Sequence, residues 1–137
     1  MTKEDRETEI KNQQALLTSI WDREIGESQN KRIVLFGFSQ GVAAASRFIA
    51  YSKKPFDHFV LWAGGFAHDV NKNDFSHLTG QENLSVYIST EDQYYSDEFT
   101  QKQLVEVEQK MGQKPSLTYY DGGHKVVSEL LSPLASN

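Results

Sequence analysis

A serine between two glycines is the first group in the sequence able to do chemistry. Ser39 is the central residue of Gly37-Phe38-Ser39-Gln40-Gly41, which fits the pattern Gly-x-Ser-x-Gly. In this pattern a sharp turn between a strand and a helix lifts the serine above a sheet, and the glycines keep neighbouring backbone from colliding. The pattern predicts that Ser39 is a nucleophile. The alternative is a pair of turn glycines that only packs a helix on a strand.

Four histidines are candidates for the base that a serine nucleophile requires. His124 follows Gly122-Gly123 and a predicted strand, so we expect it on a loop at the carboxyl edge of a sheet. The other three precede a strand or lie in a polar loop and fit ordinary surface positions: His58, His68 and His77. His124 is therefore the predicted base.

The acid that orients the histidine is expected after the third predicted strand. The segment Ser89-Thr90-Glu91-Asp92 follows that strand, and we predict that Asp92 stabilises the imidazolium of His124. Glu91, the preceding residue, is the second candidate for the acid. Asp97 is better explained as a helix cap, and Asp121 is too close to His124 along the chain to be favoured. A solvated loop carboxylate is the alternative reading of Asp92.

The elements that position these residues are predicted from hydrophobic periodicity. Apolar residues at helical spacing predict an amphipathic helix over about the first 25 residues, with Thr2 and Asp5 as a capping pair. Short apolar runs predict four strands: Ile33–Phe36, Phe59–Trp62, Leu84–Ile88 and Ser116–Tyr120. Helices are expected between them and at the end: 40–51, 97–111 and 126–131.

Two proline and glycine signals refine these elements. Gly112 is expected to end the helix that Ser96 or Asp97 caps, and Pro133 is expected to close the last helix.

The polar stretch from Phe66 to Gly80 predicts a loop with at most a short helix. Alternating strands and helices imply an all-parallel sheet, and the chain from residue 1 to 137 reads as one domain.

Composition excludes several function classes. The 137 residues carry a formal net charge of -5, and the lysines and arginines are scattered, so nucleic acid is not an expected partner. The sequence has no cysteine, which excludes disulfides, thiolate metal sites and a cysteine nucleophile. No apolar run is long enough to span a membrane, and the polar stretch Met1 to Glu9 is unlike a signal peptide, so a cytoplasmic location is expected.

The motifs together resemble the phospholipase/carboxylesterase family, which includes the acyl-protein thioesterases. The resemblance covers the chain from about residue 8 to the end, the C-terminal two-thirds of the family's fold. It rests on four matching segments: Gly37–Gly41, Phe59–Gly65, Ser89–Asp92 and Gly122–Val126. It departs from the family at Val42 and Ser89, where members usually have glycine, and neither change removes a reacting group.

This resemblance implies an α/β-hydrolase fold, with a parallel sheet, helices on both faces and the N-terminal strands missing. It implies a serine hydrolase that cleaves carboxylic esters or thioesters of small molecules through an acyl-enzyme, with no metal and no cofactor. It also supports Ser39, Asp92 and His124 as the triad and Gln40 as an oxyanion donor. Four aromatic residues are predicted to line an acyl pocket: Phe38, Phe66, Tyr94 and Tyr95.

The front of the family's fold has no counterpart in this sequence. The glycine-rich loop that supplies the second oxyanion N–H is not matched, so Met1 reads as an internal methionine of a longer family member. The nucleophile strand, Arg32 to Phe38, is then expected to be an apolar edge. We expect it to pair in a homo-oligomer or with a complementing N-terminal chain.

Two function classes other than an esterase are also consistent with part of the sequence. One is an inactive or truncated hydrolase-like binding domain that lacks part of the oxyanion hole. The other is a nucleotide-binding module, which uses the same strand, turn and helix but needs a richer glycine loop than this sequence has.

Overall fold

Helices and strands alternate along the chain, as hydrophobic periodicity predicts. The computed structural model describes residues 2–26, 32–92 and 95–135. The elements in chain order are α1 (Lys3–Glu24), β1 (Val34–Phe38), α2 (Gln40–Ser52), β2 (His58–Trp62), β3 (Asn83–Ser89), α3 (Asp97–Met111), β4 (Ser116–Tyr120) and α4 (Ser128–Ala135). A short 3-10 helix, Lys72–Phe75, lies between β2 and β3. No helix in these ranges has both the length and the apolarity to cross a membrane.

Helix ends follow local capping signals. At the start of α1, the Thr2 hydroxyl accepts a hydrogen bond from the Asp5 N–H at 3.1 Å, and the Asp5 carboxylate accepts one from the Thr2 N–H at 3.3 Å. Ser96 caps α3 by accepting from the Phe99 N–H, and Gly112 ends it with a φ of 79°. The predicted capping pair of α1 and the predicted bounds of α3 are confirmed.

The four described strands form one parallel sheet in the order β1-β2-β3-β4. Phe38 at the end of β1 lies beside Trp62 of β2, and Ser89 at the end of β3 lies beside Tyr120 of β4. Since all the strands run in the same direction, their carboxyl ends share one edge of the sheet. The loops after β1, β3 and β4 therefore meet there.

Helices cover the two faces of the sheet with separate cores. One face packs Phe59, Leu61 and Val86 against residues of α2 and α3 such as Ile49 and Val107. The other face contains the aromatic group Trp62, Tyr87 and Tyr120, and partly buried residues of and near α4 pack against it. The predicted parallel sheet with helices on both faces is confirmed.

Helix α1 packs on α2 through one large side chain. Trp21 is 5 % exposed, and its ring centroid lies 5.7 Å from that of Phe48 in α2. Leu17 is half-buried, whereas Leu16 and Ile20 are exposed. Trp21 is therefore buried, and Phe48 of α2 supplies an aromatic contact to its ring.

Strand β1 lies at one edge of the described sheet and pairs with β2. Its side chains are less buried than those of β2, and Phe36 is 40 % exposed. The sequence predicts an apolar edge at this strand. The edge position explains the partial burial, because β1 pairs with a described strand on one side only.

Two local predictions were wrong. Pro133 lies within α4 and does not close it: the helix continues to Ala135, although the proline nitrogen donates no hydrogen bond and its ring crowds the carbonyl four residues earlier. His58 is 7 % exposed and is not a surface histidine. Its Nε2 lies 2.7 Å from the Ser85 hydroxyl, and burial, followed by the Arg32 charge, lowers its pKa from the ordinary value of 6.5.

Candidate active site

Ser39 lies in the turn between β1 and α2 in a strained backbone conformation. Its φ of 56° and ψ of -120° lie in a region that a non-glycine residue rarely adopts, and such strain costs on the order of 1–3 kcal/mol. The Ser39 N–H donates to the Trp62 carbonyl at 2.9 Å, which ties the turn to the end of β2. The tight turn expected for a nucleophile elbow is therefore present.

Close backbone contacts around the turn require glycine at two positions, and only one belongs to the motif. A Cβ added at Gly37 would lie 2.7 Å from the Gly41 carbonyl, and one added at Gly64 would lie 2.0 Å from the Ser39 carbonyl. A Cβ at Gly41 would meet nothing within 4 Å. The predicted spacing role therefore fits Gly37 but not Gly41. Gly64 was missed, although its position directly after the strand beside β1 could have indicated it.

The three predicted catalytic side chains form one hydrogen-bonded chain. His124 Nε2 lies 2.9 Å from the Ser39 hydroxyl, and His124 Nδ1 lies 2.7 Å from an oxygen of Asp92. A carboxylate accepts hydrogen bonds, so Nδ1 carries the ring proton in neutral His124 and Nε2 is left as an acceptor. The serine hydroxyl then donates to Nε2, which is the arrangement needed for proton removal.

The acidic candidates occupy different environments. The Asp92 side chain is fully buried beside His124, whereas Glu91 is exposed. Asp97 is the first residue of α3, and Asp121 accepts a hydrogen bond from the Thr90 hydroxyl at 2.8 Å. The structure thus brings Asp92 to the histidine, as the sequence predicts.

Ser89 joins the loop that carries Asp92 to the loop that carries His124. Its buried hydroxyl accepts hydrogen bonds from the Gly123 N–H at 2.9 Å and from the Glu91 N–H at 3.1 Å. The sequence presented Ser89 only as a departure from a family glycine. A glycine lacks this acceptor, so the departure adds a direct link between the two loops.

The residues predicted to line an acyl pocket have different surroundings in the structure. The Phe38 ring lies 5.1 Å from the His124 ring, so this side chain packs against the base. Phe66 is 3 % exposed and packs in the core against Phe75, with part of it facing the cleft over Ser39. Tyr94 lies outside the described residues. Tyr95 lines the cleft.

Gln40, the predicted oxyanion donor, is the first residue of α2 and is exposed. The first N–H groups of a helix have no partner within the helix, and the helix dipole places partial positive charge there. The Gln40 N–H, adjacent to Ser39, is thus suited to stabilise a negative charge that forms beside the serine.

A cleft of ≈ 560 Å³ opens over Ser39 and Gln40. Tyr95, Phe66 and the α1 residues Arg6 and Ile10 are among the residues that line it. A larger depression of ≈ 750 Å³ between α1 and the end of α2 contains none of the predicted site residues. The cleft over Ser39 is the one that connects with the triad.

Arg47, which also lines this cleft, forms an ion pair. Arg47 Nε donates to both carboxylate oxygens of Asp69, at 2.9 and 3.2 Å. Burial acts to raise the pKa of Asp69, but the Arg47 hydrogen bond and charge outweigh it and the pKa is lowered. In the described ranges, His, Asp and Glu side chains form no cluster of three arranged to hold a metal ion.

Solved structures similar to this chain share its fold at low sequence identity. A protein of unknown function from Agrobacterium tumefaciens superposes with a TM-score of 0.67 at 14% identity, over 98% of this chain and 65% of that one. Acyl-protein thioesterase 2 from Zea mays superposes with a TM-score of 0.67 at 13% identity, over 91% of this chain and 62% of that one. Esterase PE8 superposes with a TM-score of 0.66 at 18% identity, over 93% of this chain and 58% of that one.

The chain therefore spans about three-fifths of the length of these structures, as the 58 to 65% coverage shows. No curated protein matched the sequence. The fold is that of a partial α/β-hydrolase, as the sequence predicts. The sequence model of the Phospholipase/Carboxylesterase family matches residues 1–136, and the chain belongs to that family.

Proposed function

We propose that this chain is a serine hydrolase that cleaves carboxylic esters or thioesters of small molecules through an acyl-enzyme. The observation that carries the proposal is the hydrogen-bonded chain from Ser39 through His124 to Asp92, with distances of 2.9 and 2.7 Å. Membership of the family and the likeness to a thioesterase and an esterase point to the same class of reaction.

In the proposed reaction, Ser39 Oγ attacks the acyl carbonyl carbon while its proton passes to His124 Nε2. The buried carboxylate of Asp92 stabilises the imidazolium that forms, since two opposite charges attract strongly away from water. His124 then gives the proton to the leaving alcohol or thiol. Water, activated by the same base, releases the acid and restores Ser39.

The Gln40 N–H is the oxyanion donor of this proposal. Its place at the start of α2 aims a backbone dipole at the carbonyl oxygen that becomes negative during attack. Loss of one such donor costs about 10² to 10³ in rate. A site with one donor would react slowly but would keep a reactive serine.

A fluorophosphonate probe, which reacts with activated serines, tests the proposal. We expect labelling and hydrolysis of a chromogenic acyl ester by the wild-type chain, and neither by Ser39→Ala. The matched control is Ser76→Ala, since Ser76 is an exposed serine away from the cleft. A folded wild-type chain that is not labelled would favour the inactive binding domain, and hydrolysis by Ser39→Ala would refute the nucleophile.

The roles of base and acid are tested by the same assay. We expect His124→Ala to lower activity nearly as far as the serine change, and Asp92→Asn to lower it less, because members of a triad act as a unit. If Asp92→Asn is silent and Glu91→Gln is not, Glu91 is the acid.

A further inference from the structure

One face of helix α2 runs from the nucleophile to a buried arginine. Four residues of α2 line the cleft of ≈ 560 Å³ over Ser39, and their spacing of three and four positions places them on the same side of the helix: Gln40, Ala43, Ala44 and Arg47. Arg47 follows Ser39 by eight positions, a rise of about 12 Å along the helix. Because the two alanines between them are small, a substrate bonded to Ser39 can extend along α2 toward Arg47.

The Arg47 side chain is held in place through one of its three nitrogens. Its Nε donates to both carboxylate oxygens of Asp69, at 2.9 and 3.2 Å, and the side chain is only 11 % exposed. The Tyr51 hydroxyl donates to the same carboxylate at 3.2 Å. Since burial and these contacts fix the guanidinium, its other two nitrogens have a defined position.

Those two nitrogens, Nη1 and Nη2 of Arg47, carry four N–H donors. In the described part of the chain, no residue accepts a hydrogen bond from either of them. Both keep some solvent-accessible surface, so they face the open space that Arg47 lines. A planar guanidinium with two free nitrogens side by side matches the two oxygens of a carboxylate.

The open space that Arg47 lines adjoins the nucleophile. A second depression, of ≈ 370 Å³, shares Arg6, Ile10, Arg47 and His68 with the cleft over Ser39, so the two form one groove. Among the described residues, three cationic and three anionic side chains line this groove: Lys3, Arg6, Arg47, Glu7, Glu9 and Asp69. A doubly charged phosphate would be repelled more strongly by these carboxylates, so a group with one negative charge fits better.

We propose that Arg47 binds a carboxylate of the substrate, and that the substrates are short esters or thioesters with one free carboxylate; this inference rests on the proposed function. The reacting carbonyl lies at Ser39, and the carboxylate accepts hydrogen bonds from Arg47 Nη1 and Nη2, within the span of about 12 Å along α2. The carboxylate belongs either to the acyl part or to the alcohol or thiol part. Arg47 makes and breaks no bond, so its effect is on substrate selection.

Two pairs of esters test this selection in the wild-type chain. Monomethyl adipate carries its carboxylate on the acyl part, and 4-acetoxybutanoate carries it on the alcohol part at the same distance from the carbonyl. Each is compared with its primary amide, which is neutral. We expect kcat/KM of one acid to exceed that of its amide by about 10 to 100 times, the effect of a hydrogen bond to a charged group. Equal values within both pairs overturn the proposal.

Arg47→Lys assigns the preference to the guanidinium. Lysine keeps the positive charge beside Asp69 but lacks the pair of Nη groups, so the ratio of kcat/KM for acid and amide should fall to about one. The ratio is measured in one preparation, so a partly unfolded variant does not alter it. The matched control is Arg23→Lys, because Arg23 also pairs through Nε, with Glu24 at 3.1 Å, and does not line the groove. A wild-type ratio in Arg47→Lys overturns the role of Arg47.

Calorimetry on the Ser39→Ala variant separates binding of the carboxylate from hydrolysis. We expect this variant to bind the preferred acid, and the double variant with Arg47→Lys to bind it about 10 to 100 times more weakly. Equal affinities overturn the carboxylate site. If the wild type hydrolyses neither ester but the affinity depends on Arg47, the proposed function fails and the site stands. If both acid and amide are hydrolysed without preference, the proposed function stands and the site fails.

Discussion

Gly64, which lies outside the serine motif, is predicted to be more sensitive to substitution than Gly41 within it. In Gly64→Ala the new Cβ would lie 2.0 Å from the Ser39 carbonyl oxygen, whereas real Cβ atoms essentially never come within 3.0 Å of a neighbour. The obstacle is backbone and cannot rotate away. The end of β2 and the turn at Ser39 must therefore separate by about 1 Å.

The size of that displacement sets the expected effect. A misplacement of about 1 Å in a catalytic group costs on the order of 10²-fold in rate. The strain of overpacking lowers the free energy of unfolding by about 1–3 kcal/mol. We therefore expect Gly64→Ala to fold less stably and to react with the fluorophosphonate probe about 10² times more slowly.

Gly41→Ala is the matched control. A Cβ at Gly41 meets nothing within 4 Å, and Gly41 lies in α2, where alanine is favoured over glycine by about 0.5–1 kcal/mol. This variant should be labelled at the wild-type rate and should have an equal or higher urea midpoint. A normal labelling rate in Gly64→Ala, together with loss of labelling in Gly41→Ala, would refute the argument from close backbone contact.

Three further predictions concern a loop link, a buried histidine and the sheet edge. Ser89→Ala leaves the Gly123 N–H without its side-chain acceptor, so we expect the free energy of unfolding in urea to fall by about 1–3 kcal/mol and kcat for the acyl ester to be lower. An unchanged free energy of unfolding would contradict the link between the two loops. Because the folded pKa of His58 is below 6.5, the unfolded chain binds a proton more readily, and stability should be full above that pH and fall as the pH drops through it. His58→Gln should flatten this dependence below the ordinary histidine pKa of 6.5, and an equally steep profile would be evidence against it. At the edge of the described sheet, β1 exposes 40 % of Phe36, and in a pure sample a second copy of the chain can supply a pairing strand, so light scattering should find self-association that Phe36→Lys reduces; a concentrated wild-type monomer would disprove it.

Features set by near neighbours along the chain were predicted well. The bounds of α3 follow from a serine cap at one end and Gly112 at the other, and both signals act within one turn of helix. Strand β4 has the bounds predicted from its β-favouring residues. The α4 boundary was less accurate, because a proline in a short helix is a weaker signal than a glycine cap.

Two features set by distant residues were not predicted. His58 is buried because its ring nitrogen meets the Ser85 hydroxyl on the neighbouring strand, 27 positions away. Gly64 is constrained by the carbonyl of Ser39, on an element that precedes it by a whole helix. Neither partner is indicated by the residues next to these positions, since strand pairing alone brings them together.

The sequence by itself determined the chemical types and their order: a serine in a strand-to-helix turn, an acid after the third strand and a histidine after the fourth. Those assignments needed only local patterns and the rule that parallel strands end at one edge. The tertiary structure alone decided which groups touch, because the Ser39 to His124 contact spans 85 positions and depends on sheet register. The same packing brought the Ser89 hydroxyl to the loop that carries His124, and that contact is not encoded in the spacing of residues along the chain.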